Sequence, residues 1–178
     1  MNRNIELHCP REAGRRYFSK AEHGYSNSLD VLFNGKKIFQ EINDSEENLP
    51  ITMMGQLNFD ESENLLEFKY DIKFDGLGEE STDVVFAFNA DECRATFTRH
   101  NWVKGSEKLA DDYAVTFSFN GQDEAFGREW HDGDKKQIQF LRRFDLDAPL
   151  TFGWQSRKSF VDNSPPLTYD DIRIRIWN

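Results

Sequence analysis

From Leu65 to Phe74 the side chains sort by parity. Leu66, Phe68, Tyr70, Ile72 and Phe74 share one face of an extended chain, and Leu65, Glu67, Lys69, Asp71 and Lys73 share the other. Only a two-residue period separates apolar from polar in this way; a helix would scatter the same residues around its circumference. The stretch therefore predicts a half-buried antiparallel strand with one wet face. The same alternation recurs along the chain. Val84, Phe86 and Phe88 alternate within 83–89, and Val115, Phe117 and Phe119 within 113–119. Ile138 and Phe140 alternate within 137–144, and Ile172, Ile174 and Ile176 alternate with Arg173 and Arg175 at the end. Shorter extended segments are expected at 4–9, 29–33, 37–42, 51–59, 93–99, 124–130 and 150–154.

Turn chemistry punctuates these segments. Asn34-Gly35 and Asn120-Gly121 are hairpin signals, because both residues tolerate positive φ. The acidic turn 60–64 is expected to fold 51–59 back onto 65–74 as a hairpin. Residues 75–81 read as a flexible turn, and 101–112 as a loop in which Lys108-Leu109-Ala110 forms one helical turn. About ten short strands at regular spacing, with little helix, predict an all-β chain: a two-sheet antiparallel β-sandwich, jelly-roll-like, forming one domain over 1–178. First and last strands side by side would suit that architecture. Phe86-Ala87-Phe88-Asn89 and Phe117-Ser118-Phe119-Asn120 look alike, but each is a strand running into a turn, and the likeness is read as hairpin grammar and not as a duplicated domain.

Composition agrees. Aromatics make up 14% and include 16 Phe, which favours rings packed on pleated surfaces. The 178 residues suffice to bury a core without disulfide or metal. Cys9 and Cys93 are expected as free thiols in a reducing cytoplasm, since the N-terminus has no apolar run of signal-peptide length and no segment approaches a membrane span. The net charge of -10 is uneven. Residues 40–92 carry fifteen Asp and Glu against two Lys, a net of -13. That argues against nucleic-acid binding, which needs a basic footprint, and points to a basic protein partner.

No nucleophile elbow, phosphate loop, dinucleotide fingerprint or metal-ligand spacing occurs, so neither cofactor nor metal is expected. Asp91-Glu92 and Asp170-Asp171 offer oxygen ligands to calcium without an ordered acidic loop motif. Asp132 or Asp134 could orient His131 as a general base, but the segment His131-Asp132-Gly133-Asp134 reads better as an exposed turn whose Asp residues bond their own backbone, and no nucleophile completes a triad. Cys93 sits beside Asp91 and Glu92, whose charge weakens a thiol as a nucleophile. The four tryptophans, Trp102, Trp130, Trp154 and Trp177, lie near expected strand ends or loops. Trp102 and Trp130, with His131 and Asp132, combine ring faces with hydrogen-bonding groups that suit a sugar ring, although capping of the core by the rings explains them too. The closing segment from Tyr169 to Ile176 resembles the last strand of jelly-roll carbohydrate modules.

Three functions follow in order. The first is a non-catalytic protein, inhibitor- or immunity-like, binding a basic partner through an acidic sheet face bearing Glu61, Glu63, Glu67 and Asp71. The second is a carbohydrate-binding sandwich using the loop tryptophans. The third is a hydrolase centred on His131 and Asp132. Unpaired edge strands leave a homodimer open.

Overall fold

The computed structural model describes residues 1–9, 25–43, 51–60, 62–74, 78–89, 91–100, 110–126, 133, 135–141, 150–160 and 167–178. Described residues form twelve strands and no helix: β1 (Asn2–Cys9), β2 (Tyr25–Phe33), β3 (Lys36–Asn43), β4 (Ile51–Asn58), β5 (Asn64–Phe74), β6 (Gly78–Phe88), β7 (Glu92–His100), β8 (Ala110–Phe119), β9 (Gln122–Phe126), β10 (Lys135–Leu141), β11 (Leu150–Phe160) and β12 (Leu167–Trp177). No helix of the described residues is therefore long and apolar enough to cross a membrane.

All pairings are antiparallel and make two six-stranded sheets. Sheet A has the order β4-β1-β12-β11-β8-β9, and sheet B the order β10-β7-β6-β5-β2-β3. The expected all-β, two-sheet antiparallel sandwich is the observed architecture. Alternation explains it. Leu66 and Phe68 of β5, Phe86 and Phe88 of β6, Phe117 and Phe119 of β8, Phe152 of β11 and the three isoleucines of β12 all point into one core. Rings bridge the sheets: Phe152 lies 5.4 Å from Phe86 and 4.9 Å from Phe88, and Phe86 meets Phe117 edge-on at 6.1 Å. β1 pairs with β12, so the first and last strands are neighbours.

Both Asn-Gly turns are the hairpins expected of them. Asn34 and Gly35 have φ of 47° and 76°, and Asn120 and Gly121 have 46° and 75°, as type I′ geometry requires. Each Asn also fastens the next strand inward. Asn34 Oδ1 accepts from the Leu65 N–H at 2.7 Å, and its own N–H donates to the Leu65 carbonyl. Asn120 Oδ1 accepts from the Thr151 N–H at 3.0 Å, and its N–H donates to the Thr151 carbonyl.

Several boundaries and one pairing differ from expectation. β4 does not fold back on β5; it pairs with β1 in sheet A, while β5 pairs with β2 and β6 in sheet B. The connection crosses the sandwich because Phe59 turns inward, 5.4 Å from Phe33 and 5.5 Å from Phe88, beneath the guanidinium of buried Arg3. Asn64, itself buried, accepts from the Asp60 N–H and donates to the Asp60 carbonyl, both at 2.8 Å, closing that crossing. β6 begins at Gly78 and β8 at Ala110, inside stretches expected as turn and loop. Backbone pairing such as Lys73 with Glu79 and Ser159 with Asp112 extends both strands where apolar alternation has stopped. β11 runs to Phe160, which puts Trp154 inside a strand, opposite Ile172 and Phe117.

The two sheets have one topology. Advancing each strand of sheet B by six, cyclically in twelve, turns β10-β7-β6-β5-β2-β3 into β4-β1-β12-β11-β8-β9, the order of sheet A. The register agrees as well. Phe33 pairs with Leu66 and Leu66 with Phe86; Phe119 and Phe152, each 86 residues on, pair likewise, and Phe152 pairs with Ile174, 88 residues after Phe86. A six-strand unit is thus repeated twice. It aligns Phe33-Asn34-Gly35 with Phe119-Asn120-Gly121, not the two Phe-x-Phe-Asn segments whose likeness the sequence advertises. Each half contributes strands to both sheets.

Candidate functional site

The alternation that buries Ile172, Ile174 and Ile176 turns Arg173, Arg175 and Trp177 to the outer face of sheet A. The neighbouring strands do the same with their polar positions. Two rows cross the sheet in register. One runs Thr52, His8, Arg173, Gly153, Ser118, Asp123; the other runs Met54, Glu6, Arg175, Thr151. These rows border a cavity of about 550 Å³ lined by Glu6, His8, Ser118, Asp123, Arg173 and Arg175, among others.

Gly153 makes the hollow. It lies between Arg173 and Ser118 and has no side chain to fill the row. A glycine inside a strand often marks a close backbone approach, and here a Cβ would stand 3.0 Å from the Ile172 carbonyl oxygen and 3.5 Å from Ser118 Oγ. Around it, Arg173 and Arg175 supply forked donors, Glu6 and Asp123 acceptors, and Ser118, Thr116 and Thr151 hydroxyls of both kinds. His8 Nδ1 lies 3.2 Å from Thr52 Oγ1. The Arg175 guanidinium sits 5.2 Å from the ring centre of half-buried Trp177, a stacking contact that leaves its N–H groups available at the plane edge.

The outer face of sheet B carries the same row with other side chains. Its equivalent row is Lys37, Leu32, Glu67, Val85, Thr96, Gln137. Glu67 stands where the other face has Gly153, and Val85 where it has Arg173. Several ions on this face pair with one another. Lys37 meets Asp30 at 2.7 Å, Arg94 meets Glu63 at 2.7 Å and Glu92 at 3.7 Å, and His100 meets Asp83 at 3.5 Å.

Of the residues singled out in the sequence, Trp102, Trp130, His131, Asp132 and Glu61 lie outside the described residues. Glu63 is exposed and held by Arg94. Glu67 and Asp71 are half-buried on the outer face of β5, with Lys69 between them. Trp177 keeps its place at a strand end. Cys93 is a buried free thiol. Burial pushes its ionisation far above the ordinary thiol range, opposed by Arg94 and assisted by Glu92. It is therefore a poor nucleophile, but mainly through desolvation and not through neighbouring acids. No three His, Cys, Asp or Glu among the described residues converge to hold a metal ion. His8, Ser118, Gly153, Arg173 and Arg175 were not legible as a site; the one local signal was a glycine inside an apolar strand.

No protein-family model matches the chain, and no curated protein does.

Proposed function

We propose that this chain is a non-catalytic binding domain whose ligand, an oligosaccharide, lies in the hollow on the outer face of sheet A. One observation carries the reading: the outer face of sheet A has a polar trough where Gly153 stands in the row, bordered by Arg173, Arg175, His8, Glu6 and Asp123, while the register-equivalent position of sheet B carries Glu67. Sugar hydroxyls are donors and acceptors at once. A row that alternates guanidinium, hydroxyl and carboxylate suits them better than an all-cationic or all-apolar groove would. The carbohydrate reading thus moves from the loop tryptophans to the sheet face.

The test is a glycan panel followed by calorimetry, in buffer with and without calcium. Arg173→Ala with Arg175→Ala is expected to weaken the best ligand at least tenfold, since each hydrogen bond to a charged group is worth about 1.5–3 kcal/mol. Glu67→Gln, on the equivalent face, is expected to change nothing. A panel with no binder removes the reading.

A basic protein partner on the outer face of sheet B is the second reading. Glu67 and Asp71, which form no ion pair with another described residue, favour it. Salt-sensitive capture that survives Glu61→Lys, Glu63→Lys and Glu67→Lys together would count against it. The buried free thiol of Cys93 supports a reducing compartment, the cytoplasm, for either reading.

A further inference from the structure

The two sheets end in four edge strands, β4 and β9 in sheet A and β10 and β3 in sheet B. An edge strand offers a row of backbone N–H and C=O groups to any other chain, and proteins guard it with charge, shortness or bulges. Three of the four are guarded. β9 has five residues, including Asp123 and Glu124. β3 begins Lys36-Lys37 and is bulged against β2 between Val31 and Leu32. β10 begins Lys135-Lys136. β4, Ile51-Thr52-Met53-Met54-Gly55-Gln56-Leu57-Asn58, has no charged residue and no proline over eight residues, in a chain where 30% are charged. It pairs fully with β1, from Asn2 opposite Asn58 to Cys9 opposite Ile51, and with no described strand on its other side. Its outward Met54 is 69% exposed.

We propose that β4 is the interface between two copies of this chain, paired antiparallel about a twofold axis perpendicular to sheet A. Such an axis sets the strand against itself. A charge near the axis would face its own like charge, and a strand without charge escapes this in any register; the repeat makes the contrast internal, since β10, the equivalent edge, carries two lysines. The pairing covers Met54, continues sheet A across both copies, and leaves the two outer faces on one side. A second copy also predicts an unusual salt response. Each chain carries -10, so the copies repel at long range, and screening strengthens the dimer. Binding of a basic partner would weaken with salt instead.

Sedimentation velocity of the full chain from about 1 to 200 μM, at low and high salt, tests this; an eight-residue strand pair falls at the small end of stable interfaces, where micromolar association is expected. The wild type is expected to dimerise more at high salt. Met54→Lys is expected to shift dissociation at least tenfold weaker with an unchanged circular-dichroism spectrum, since the side chain is already in water, and Lys135→Glu on β10 to leave it unchanged. Gln56→Lys provides a second edge variant should Met54→Lys fold poorly. A monomer at every concentration, or a dimer indifferent to both β4 lysines, overturns the proposal.

Discussion

Gly153→Ala adds one methyl at the middle of sheet A, and the structure gives its surroundings. The new carbon would lie 3.0 Å from the carbonyl oxygen of Ile172, with Ser118 Oγ at 3.5 Å. Comfortable contact begins near 3.5 Å, and the oxygen belongs to the backbone of β12, which cannot rotate away as a side chain would. β12 or β11 must shift by a few tenths of an ångström. Overpacking of this kind costs about 1–3 kcal/mol. The backbone at Gly153 is not in the positive-φ region, so replacing glycine lowers the unfolded chain's entropy and returns about 0.4–1 kcal/mol. The net expectation, from the middle of both ranges, is a loss of about 1–2 kcal/mol, or about 2–8 °C in melting temperature for a chain of this size. Gly55→Ala is the matched control. It is the same change in the same sheet, but its Cβ meets only Ile5 Cγ2 at 3.7 Å, an ordinary contact, and is expected to be neutral or stabilising by up to about 1 kcal/mol. Urea and calorimetric unfolding of the two variants against wild type decide the matter. Equal effects at both glycines, or a Gly153→Ala protein as stable as wild type, would refute the idea that β12 closes on Gly153.

The two Asn-Gly turns are expected to behave alike. Asn34→Ala and Asn120→Ala each force a Cβ residue without a local hydrogen bond into positive φ and orphan the Leu65 or Thr151 N–H, for about 1.5–3 kcal/mol by urea unfolding, while the corresponding Gly variants lose only about 1 kcal/mol; no difference between Ala and Gly would dismiss the strain. The raised thiol ionisation of Cys93 makes stability pH-dependent. The unfolded chain ionises near pH 8.5 and the folded chain resists, so this contribution is whole below that pH and falls by about 1.4 kcal/mol per unit above it. Unfolding at pH 7 to 10.5 is expected to show that slope in wild type and not in Cys93→Ala. Finally, β12 and β1 adjoin as β6 and β7 do, and the latter are joined by a short turn. A permutant with a short Gly-Ser link from Asn178 to Met1, opened at Ala90, is expected to keep a wild-type circular-dichroism spectrum and a cooperative transition; an unfolded permutant would contradict the equivalence of the two junctions.

Much of the secondary structure was legible because its causes are local. A two-residue period needs only neighbours, so Leu66 and Phe68, Phe86 and Phe88, and Ile172, Ile174 and Ile176 announced strands and their buried faces. The Asn-Gly pairs announced positive φ and hence two hairpins. Strand ends were less legible, as at Gly78 and Phe160, where backbone pairing with a partner continues after alternation has ceased.

What tertiary structure alone decided is which sheet each strand joins. Nothing in 51–58 says that it leaves β5 for β1; the inward turn of Phe59 between Phe33 and Phe88 makes that choice. The repeat of the six-strand unit was hidden for the same reason, since pairing and register recur where few side chains do. The hollow is the clearest case. His8, Ser118, Gly153 and Arg173 are scattered through the chain, and apart from the glycine each reads locally as an ordinary solvent-facing position. Only register brings them into one row, because cross-strand neighbours are set by pairing and not by distance along the sequence.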